Sequence, residues 1–265
     1  MAMRVPRVRL DELLVRRGHA PSREKARALV LAGRVSVPGS AAAKPGQLVP
    51  DDLPLDVTPS EPYVSRGGIK LAHALDAFEV DPGGKICADI GASTGGFADC
   101  LLQRGAARVY AIDVGYGQLH WKLRNDPRVV VMERTNARFL ESLPERPTLV
   151  TIDVSFISLR LVLPASVRVS AADAVLVALI KPQFEAGRKR VGKGGVVRDP
   201  IVHREVLSGF AQWAEQQKLA LKKFAVSPIR GPAGNVEFFA HILPSVATRA
   251  GDADIEAVLA EAAAL

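Results

Sequence analysis

The chain has 265 residues, of which 48% are hydrophobic, and it carries a formal net charge of +7. This length suits one α/β domain with a small additional domain, and the positive charge favours an anionic partner. The longest apolar run, residues 174–180, is too short to span a membrane, and no secretory signal is expected, so we expect a cytoplasmic protein. The two cysteines lack metal or redox spacing and the five histidines are dispersed, which argues against a disulfide framework and against a metal site.

The first fifty residues hold the excess positive charge, with ten Lys or Arg against three Asp or Glu. Apolar spacing and capping residues predict helices over residues 10–17 and 23–31, followed by a strand over residues 34–37. Arg and Lys gain free energy from counterion release on nucleic acid, although some basic residues only form a solvated helix face. The candidates for phosphate contacts are Arg9, Arg16, Arg17, Arg23, Lys25, Arg27 and Arg34.

Five prolines between residues 40 and 62 predict the end of this small module and a stiffened connection to the rest of the chain. We therefore expect a first domain over residues 1–59, a linker over residues 60–64 and a larger domain over residues 65–265.

A Gly-rich turn opens the larger domain's predicted sheet. A strand over residues 85–90 leads into Gly91, Gly95 and Gly96, and a helix follows over residues 97–102. Glycines permit a sharp turn and close approach of a ligand to the free N–H groups of the helix. The next predicted strand ends in Asp113, which is suited to accept hydrogen bonds from ribose hydroxyls. The G-x-G-x-x-G spacing of a pyrophosphate site is absent, and S-adenosylmethionine has no pyrophosphate. Taken alone, an ordinary turn with an incidental acid is an equally good interpretation.

Four scattered ionisable residues strengthen the interpretation as a site. Asp153 and Lys181 follow apolar runs of strand type, so both are expected at the carboxyl edge of a parallel sheet, beside the Gly-rich turn. Lys70 precedes the first strand of this domain, and Glu237 enters a late strand. Singly, each would more often be a helix cap or a solvated surface residue.

These four residues and the turn resemble the TlyA family, also called hemolysin A, whose members are ribosomal RNA 2′-O-methyltransferases with a catalytic domain similar to FtsJ (RrmJ). The resemblance runs through most of the chain and includes residues 63–71, 88–97, 153–158, 181–185 and 231–238. It implies a Rossmann-like class I methyltransferase domain of α/β class that uses S-adenosylmethionine. The first sixty residues resemble an α+β RNA-binding domain of the S-four type, named after a ribosomal small-subunit protein.

The same resemblance assigns roles to particular residues. It implies that Lys70, Asp153, Lys181 and Glu237 form a catalytic tetrad. It also implies that the Gly-rich turn holds the methionine part of the cofactor, Asp113 the ribose and Asn136 the adenine. The expected cofactor-binding residues are therefore Asp89, Gly91, Ala92, Ser93, Thr94, Gly95, Gly96, Phe97, Asp113 and Asn136.

The chemistry of methyl transfer to an alcohol requires such a set independently. A ribose hydroxyl is a poor nucleophile until its proton is removed, and the sulfonium methyl is already activated, so positioning and proton removal suffice without a metal. Lys181 is the expected base, because desolvation and a nearby cation such as Lys70 would lower its pKa. Asp153 and Glu237 are expected to orient the two amines.

A second basic stretch, residues 184–195, directly follows Lys181. We interpret it as a mobile loop that clasps RNA, with Arg66 as a similar candidate beside Lys70. The alternative is a long solvated connection to a helix over residues 201–217. The candidates here are Arg188, Lys189, Arg190 and Lys193. A terminal helix over residues 254–265 has no assignable chemistry.

The resemblance implies cytidine 2′-O-methylation in ribosomal RNA by a monomer acting on assembled subunits, and it links loss of the enzyme to resistance to capreomycin-type antibiotics. Some family members modify only the large subunit and others modify both. The N-terminal lead over residues 1–8 and the terminal helix favour the second form. Two alternatives stay open: a non-catalytic RNA-binding assembly factor, and a membrane-lytic protein, which the lack of a spanning or lytic segment argues against.

Overall fold

The computed structural model describes residues 5–40, 42–58, 61–244 and 252–265. The chain forms two compact units, Met1–Glu61 and Pro62–Leu265. Three parts of the expected organisation lie outside the described residues, namely residues 1–4 of the N-terminal lead, residue 59 at the end of the first domain and residue 60 of the linker.

The described residues of the first unit form two helices and four short strands. The elements are β1 (Arg7–Arg9), α1 (Leu10–Arg16), α2 (Arg23–Leu31), β2 (Val35–Ser36), β3 (Leu48–Pro50) and β4 (Asp56–Val57). Strand β1 pairs antiparallel with β3, and β2 with β4. Leu10, Leu13 and Leu14 share one face of α1 and are fully buried, and the Ser22 hydroxyl caps α2 by accepting the Lys25 N–H. The helices predicted from the spacing are confirmed, and the predicted strand is shorter by a residue at each end.

The second unit is built on a seven-stranded sheet with the order β10-β11-β9-β8-β5-β6-β7. Its strands are β5 (Ile86–Ile90), β6 (Arg108–Ile112), β7 (Val129–Met132), β8 (Leu149–Ile152), β9 (Val175–Ile180), β10 (Ala220–Val226) and β11 (Phe238–Leu243). Strands β5 to β9 pair in parallel, whereas β11 runs antiparallel between β9 and β10. This largely parallel order confirms the predicted Rossmann-like α/β domain.

Both faces of the sheet are buried, which explains the nearly continuous apolar runs of its central strands. Along β5, Cys87 packs into the core on one face, and Ala88 and Ile90 pack into the core on the other. The flanking helices are α3 (Gly67–Ala77), α4 (Gly96–Gln103), α5 (Trp121–Arg124), α6 (Leu163–Val169), α7 (Pro182–Glu185), α8 (Pro200–Gln216) and α9 (Asp252–Ala263). Cys87 and Cys100 are both buried free thiols.

Lys70 precedes the first strand of this unit, as expected, and lies within α3. Two details differ from the expectations. Glu237 lies one residue before β11, because the strand begins at Phe238. The basic stretch is not one open loop, since α7 enters it and two short 3₁₀ turns, Arg188–Arg190 and Lys193–Gly195, follow. No helix in the described part of the chain is long and apolar enough to cross a membrane.

Candidate active site

A cavity of about 460 Å³ opens at the carboxyl ends of the parallel strands. It is lined by residues that follow the strand ends, namely Gly91 and Ser93 after β5, Asp113 after β6, Asn136 in the loop after β7, and Asp153 after β8. Parallel strands bring their carboxyl ends to one edge of the sheet, so residues up to 62 positions apart meet there. We call this space the edge cavity.

The glycines of the turn after β5 are required by packing against the protein itself. Gly91 has φ +85°, and a Cβ there would lie 2.3 Å from the Asp153 carbonyl oxygen. A Cβ on Gly96 would lie 2.2 Å from the Ser65 hydroxyl oxygen. The sequence interpretation assigned these glycines to ligand approach, but the structure shows that they let β8 and the start of α3 pack against the turn.

Only part of the predicted cofactor turn faces the edge cavity. Gly91 and Ser93 line it, whereas the other predicted residues of the turn do not, namely Asp89, Ala92, Thr94, Gly95, Gly96 and Phe97. Ala92 and Phe97 pack in the core beside α3 and α4.

Asp89 supports the turn from inside the protein. Its carboxylate is fully buried and accepts hydrogen bonds from the Ala98 N–H at 2.9 Å and the Thr151 hydroxyl at 3.1 Å. Burial, with a smaller contribution from the negative charge of Asp153, raises the pKa of Asp89 to about 7, against the opposing effect of the two hydrogen bonds. Asp89 thus satisfies an N–H in the first turn of α4 and fixes where that helix begins.

Asp113 is held by two backbone amides. Its oxygens accept the Ser93 N–H at 2.7 Å and the Gly115 N–H at 2.6 Å. A carboxylate has about four lone-pair positions, so acceptor capacity remains on the side that faces the cavity. Across the cavity, the Asn136 side chain accepts the Arg138 N–H at 3.1 Å and caps the 3₁₀ turn Ala137–Phe139.

The four ionisable residues of the predicted tetrad form two ion pairs. Lys70 Nζ lies 2.5 Å from Glu237 Oε2, and Lys181 Nζ lies 2.6 Å from Asp153 Oδ1. Lys181 also donates to the Ser155 hydroxyl at 2.7 Å. The side chains of the Lys70–Glu237 pair are 8% and 1% exposed, and those of the Lys181–Asp153 pair are 11% and 23% exposed. The second pair is therefore the more open one, and its carboxylate lines the edge cavity.

The sheet register explains how the two pairs come to one edge. Phe238 pairs with Ile180 across β11 and β9, and this antiparallel register places Glu237 opposite Lys181 just beyond the strand ends. Asp153 follows β8, the parallel neighbour of β9. Lys70 reaches the edge from α3 through its contact with Glu237.

The loop before Glu237 packs tightly against its carboxylate. A Cβ on Gly231 would lie 2.5 Å from Glu237 Oε1. Arg66 donates to the Arg230 carbonyl at 2.7 Å and so fastens the start of α3 to this loop. Arg66, expected to bind RNA, therefore has a structural bond within the domain.

An exposed aromatic residue escaped the sequence interpretation. Phe156 is 90% exposed and has φ +65°, a conformation that is uncommon for a bulky residue, three positions after Asp153. Its ring lies 5.2 Å from that of Phe184, and both line a second cavity of about 780 Å³. We call this space the aromatic cavity. The available signal was an aromatic residue in the short loop that follows Asp153.

Most of the predicted phosphate contacts of the first unit have protein partners. Arg9 donates twice to the buried Asp11 carboxylate, at 3.0 and 2.8 Å, and Arg23 pairs with Glu12 and Asp11. Arg16 pairs with Asp51, and Arg17 donates to the carbonyls of Leu53 and Asp51. By contrast, Lys25 and Arg27 are exposed, and their side chains have no ion pair with any residue that the structure describes. Arg34 lies just before β2.

The basic residues after Lys181 also divide into one that is ion-paired and several that are exposed. Arg190 pairs with Glu205 on α8. Arg188, Lys189 and Lys193 are exposed, and within residues 61–244 and 252–265 no ion pair engages them. Arg188 also lines the aromatic cavity.

Comparison with known proteins assigns this architecture to a protein family. The profile of the FtsJ-like methyltransferases matches residues 63–242, and the S4 domain profile matches residues 8–52. The chain belongs to the FtsJ-like methyltransferase family, with an S4 domain at its N-terminal end. The fold of that family implies use of S-adenosylmethionine.

Individual relatives show which group of this family the chain resembles. The 16S/23S rRNA (cytidine-2′-O)-methyltransferase TlyA of Mycobacterium tuberculosis is 52% identical over 237 residues, 88% of each chain. The putative rRNA methyltransferase YqxC of Bacillus subtilis is 51% identical over 241 residues, 88% of this chain and 85% of that one. Hemolysin A of Brachyspira hyodysenteriae is 41% identical over 239 residues, 89% of this chain and 100% of that one.

Solved structures resemble this chain over most of its length. A putative hemolysin from Streptococcus thermophilus has a TM-score of 0.75 and 42% identity, covering 98% of this chain and 97% of that chain. One from Lactococcus lactis has a TM-score of 0.72 and 47% identity, covering 77% and 100%. Among the methyltransferases, these relatives belong to the TlyA group. The family predicted from the sequence is therefore confirmed.

Proposed function

We propose that this enzyme methylates the 2′-hydroxyl of a cytidine in ribosomal RNA, with S-adenosylmethionine as the methyl donor. The observation that carries the proposal is the Lys181–Asp153 ion pair, 2.6 Å long, at the mouth of the edge cavity. An amine there can act on an alcohol at the point where a bound donor would present its methyl group. The Mycobacterium tuberculosis relative, named as an rRNA (cytidine-2′-O)-methyltransferase, supports the same reaction.

The edge cavity fits the proposed donor in size and chemistry. A volume of about 460 Å³ is in the usual range for a cofactor-sized ligand. Asp113 would accept hydrogen bonds from the ribose hydroxyls, the Asn136 segment would contact the adenine, and Gly91 and Ser93 would lie along the methionine part. When bound, the donor supplies an electrophilic methyl group.

Lys181 has the central catalytic role in this proposal. Its amine would accept the proton of the 2′-hydroxyl as the oxygen attacks, and Asp153 and Ser155 would hold it in place. The Lys70–Glu237 pair is more buried and would position the target ribose. Proton removal by a placed base contributes about 10²–10⁴-fold in enzymes, and alignment of the reactants contributes the rest.

Exposed cations and aromatic rings would hold the RNA. Lys25 and Arg27 on the S4 domain, and Arg188, Lys189 and Lys193 after α7, are available for phosphate contacts. The exposed ring of Phe156 offers a stacking surface for an unstacked base, the form in which RNA bases are recognised in single-stranded regions. We infer that the substrate is the assembled ribosomal subunit in the cytoplasm.

A binding-only assembly factor is the second candidate. It would explain the S4 domain, but it would have no need of a Lys181–Asp153 ion pair whose carboxylate lines a cofactor-sized cavity. The relative named Hemolysin A raises a membrane-lytic candidate, which leakage of dye from anionic lipid vesicles would test directly.

The deciding experiment is transfer of a tritiated methyl group from S-adenosylmethionine to purified small and large ribosomal subunits. A 2′-O-methyl group blocks alkaline cleavage of the adjacent phosphodiester, so the label should appear in an alkali-resistant dinucleotide that begins with cytidine. Primer extension then maps the position. Absence of transfer to either subunit, or label on a base, would contradict the proposal.

A further inference from the structure

The end of the basic stretch, residues 184–195, is fastened to the interior of the second unit. Val196 and Val197, which follow it, are both buried. The Gly192 N–H donates to the Val196 carbonyl at 3.0 Å, and Nε2 of the buried His203 lies 3.1 Å from the Val197 carbonyl oxygen. The exposed cations upstream of these bonds are Arg188, Lys189 and Lys193. They are therefore carried by a segment with a fixed end.

Asn235 joins this fixed end to the loop before β11. Its side chain is buried, accepts the Val197 N–H through Oδ1 at 2.9 Å, and donates from Nδ2 to the Gly195 carbonyl at 2.9 Å. One partner is a donor and the other an acceptor, so they fix which way the amide faces. Both ends of the amide are thus engaged with the backbone of a single segment.

The backbone of Asn235 holds the loop that packs against the Glu237 carboxylate. The Asn235 carbonyl accepts the Gly231 N–H at 2.9 Å, and a Cβ on Gly231 would lie 2.5 Å from Glu237 Oε1. Glu237, two residues after Asn235, is paired with Lys70. Asn235 therefore bonds to the basic stretch through its side chain and to the loop of the buried ion pair through its backbone.

The basic stretch also borders the space next to the site. Arg188, Gly192 and Gly195 line the aromatic cavity, which shares Phe156 with the edge cavity. Asn235 is not among the residues that line either cavity, so its side chain can affect a ligand there only through the segment that it holds. Exposed Arg and Lys side chains bind RNA phosphates. Where such phosphates lie relative to the ion pairs then depends on Asn235.

We propose that Asn235 is a positioning residue that holds the RNA-binding cations of the basic stretch at a set distance from Glu237. Phosphates bound at the stretch then lie in register with the two ion pairs, so that the target ribose reaches Lys181. Cations on an ordered segment also bind more tightly, because less conformational freedom is lost on binding. This inference rests on the proposed function and extends it to the way in which the RNA is placed.

The test measures RNA binding and methyl transfer separately. Asn235→Ala removes both side-chain bonds and leaves the backbone bond to Gly231. Its Kd for ribosomal subunits, measured by filter binding, should rise about 10-fold, because the freed segment must be ordered on binding. The single-turnover rate of methyl transfer at saturating subunit concentration should also fall about 10-fold, because a misplaced ribose reacts slowly. The affinity for S-adenosylmethionine, measured by calorimetry, should not change.

A comparison in a second background shows whether Asn235 acts through the cations. A variant in which Arg188, Lys189 and Lys193 are all replaced by alanine should bind subunits more weakly than wild type. Adding Asn235→Ala to that variant should raise the Kd by less than about 2-fold, because the cations that the amide holds in place are gone. A rise as large as in the wild-type background overturns the inference, since a merely structural asparagine would weaken binding equally in both.

Asn125→Ala is the matched control. Asn125 is exposed at the end of α5, and its side chain also donates to a backbone carbonyl, that of Trp121, at 2.8 Å. The control should behave as wild type. If thermal melting shows that Asn235→Ala is unfolded, Asn235→Asp is held to the same criteria, because it keeps the acceptor for the Val197 N–H and loses the donor to Gly195.

An unchanged Kd or an unchanged saturated rate in Asn235→Ala also overturns the inference. A loss of cofactor affinity in that variant overturns it as well, because the disturbance would then extend through the whole domain. A wild type that binds subunits but transfers no methyl overturns the proposed function, and the Kd values in the two backgrounds still decide whether Asn235 acts through the cations. A wild type that neither binds nor methylates subunits overturns both.

Discussion

The two ion pairs of the site contain the same chemical groups in different surroundings. Lys70 and Glu237 are almost fully enclosed between α3 and the loop before β11, whereas Lys181 and Asp153 lie where the edge cavity begins. Enclosure makes a pair expensive to break, and access makes a pair useful for chemistry. We infer that the closed pair maintains the geometry and the open pair acts on the substrate.

The same division recurs elsewhere in the molecule. The Asp89 carboxylate is buried beneath the Gly-rich turn, whereas the Asp113 carboxylate can accept further hydrogen bonds on the side of the edge cavity. In the first unit Arg9 is bound to Asp11, and Lys25 faces solvent. The pattern teaches that a charged residue type alone does not reveal its role, because the partner it finds within the fold decides.

The largest expected effect comes from breaking the closed pair. Lys70→Met leaves Glu237 as an unpaired buried charge, and we expect a loss of about 3–5 kcal/mol in the free energy of unfolding, measured by urea denaturation. The double variant Lys70→Met with Glu237→Gln should recover most of that loss but not the activity. A Lys70→Met protein as stable as wild type would show that the pair is not closed in solution.

The buried Asp89 carboxylate beneath the Gly-rich turn predicts that the stability of the folded protein depends on pH. Because its pKa is raised from 3.8 to about 7, the folded state keeps a proton on Asp89 that the unfolded chain has already released. This group therefore lowers the stability as pH rises from about 4 to 7, and the full cost is present above pH 7. Asp89→Asn removes the cost and should be ~2–4 kcal/mol more stable than wild type at pH 8.

Below about pH 4 the Asp89→Asn protein and wild type should be equally stable, because the carboxyl group is then protonated in both the folded and unfolded states. Urea midpoints at pH 4 and pH 8 make the measurement. A variant that is less stable than wild type at pH 8 would mean that an ionised Asp89 holds the turn.

The positions of the strand ends at the site follow from the sequence, but the ion pairs between its charged residues do not. The apolar runs before Gly91, Asp113, Asp153 and Lys181 each became a strand of the parallel sheet, and that topology brings their ends together. Local patterns are sufficient for this, because strand ends in such a sheet share an edge by construction.

The partners of the charged residues could not be predicted, because each depends on contacts distant in the chain. Lys70 and Glu237 are 167 positions apart, and their contact requires α3 to pack beside the loop that follows β10. Likewise the binding of Arg16 to Asp51 depends on how the small domain closes, which the helix pattern does not contain. Phe156 was missed since an exposed Phe after a strand end has no periodicity to mark it.

The smallest expected effect concerns the exposed and the ion-paired basic residues of the first unit. Lys25→Ala and Arg27→Ala should each weaken RNA binding modestly and reduce the salt dependence of log K by about one. Neither change should alter the urea midpoint. Arg9→Ala should instead destabilise the S4 domain, because it leaves the buried Asp11 carboxylate without its main partner. Filter binding across a salt series and urea unfolding separate the two classes.

The central claim is that Lys181 carries out the proton removal while the rest of the site only holds the reactants. Single-turnover methyl transfer to ribosomal subunits by Lys181→Met tests this most directly, with Lys222→Met, an exposed lysine on β10, as the control. The account predicts a rate at least ~10²-fold below wild type with unchanged cofactor affinity, and a normal rate for the control. Transfer by Lys181→Met at the wild-type rate would contradict it.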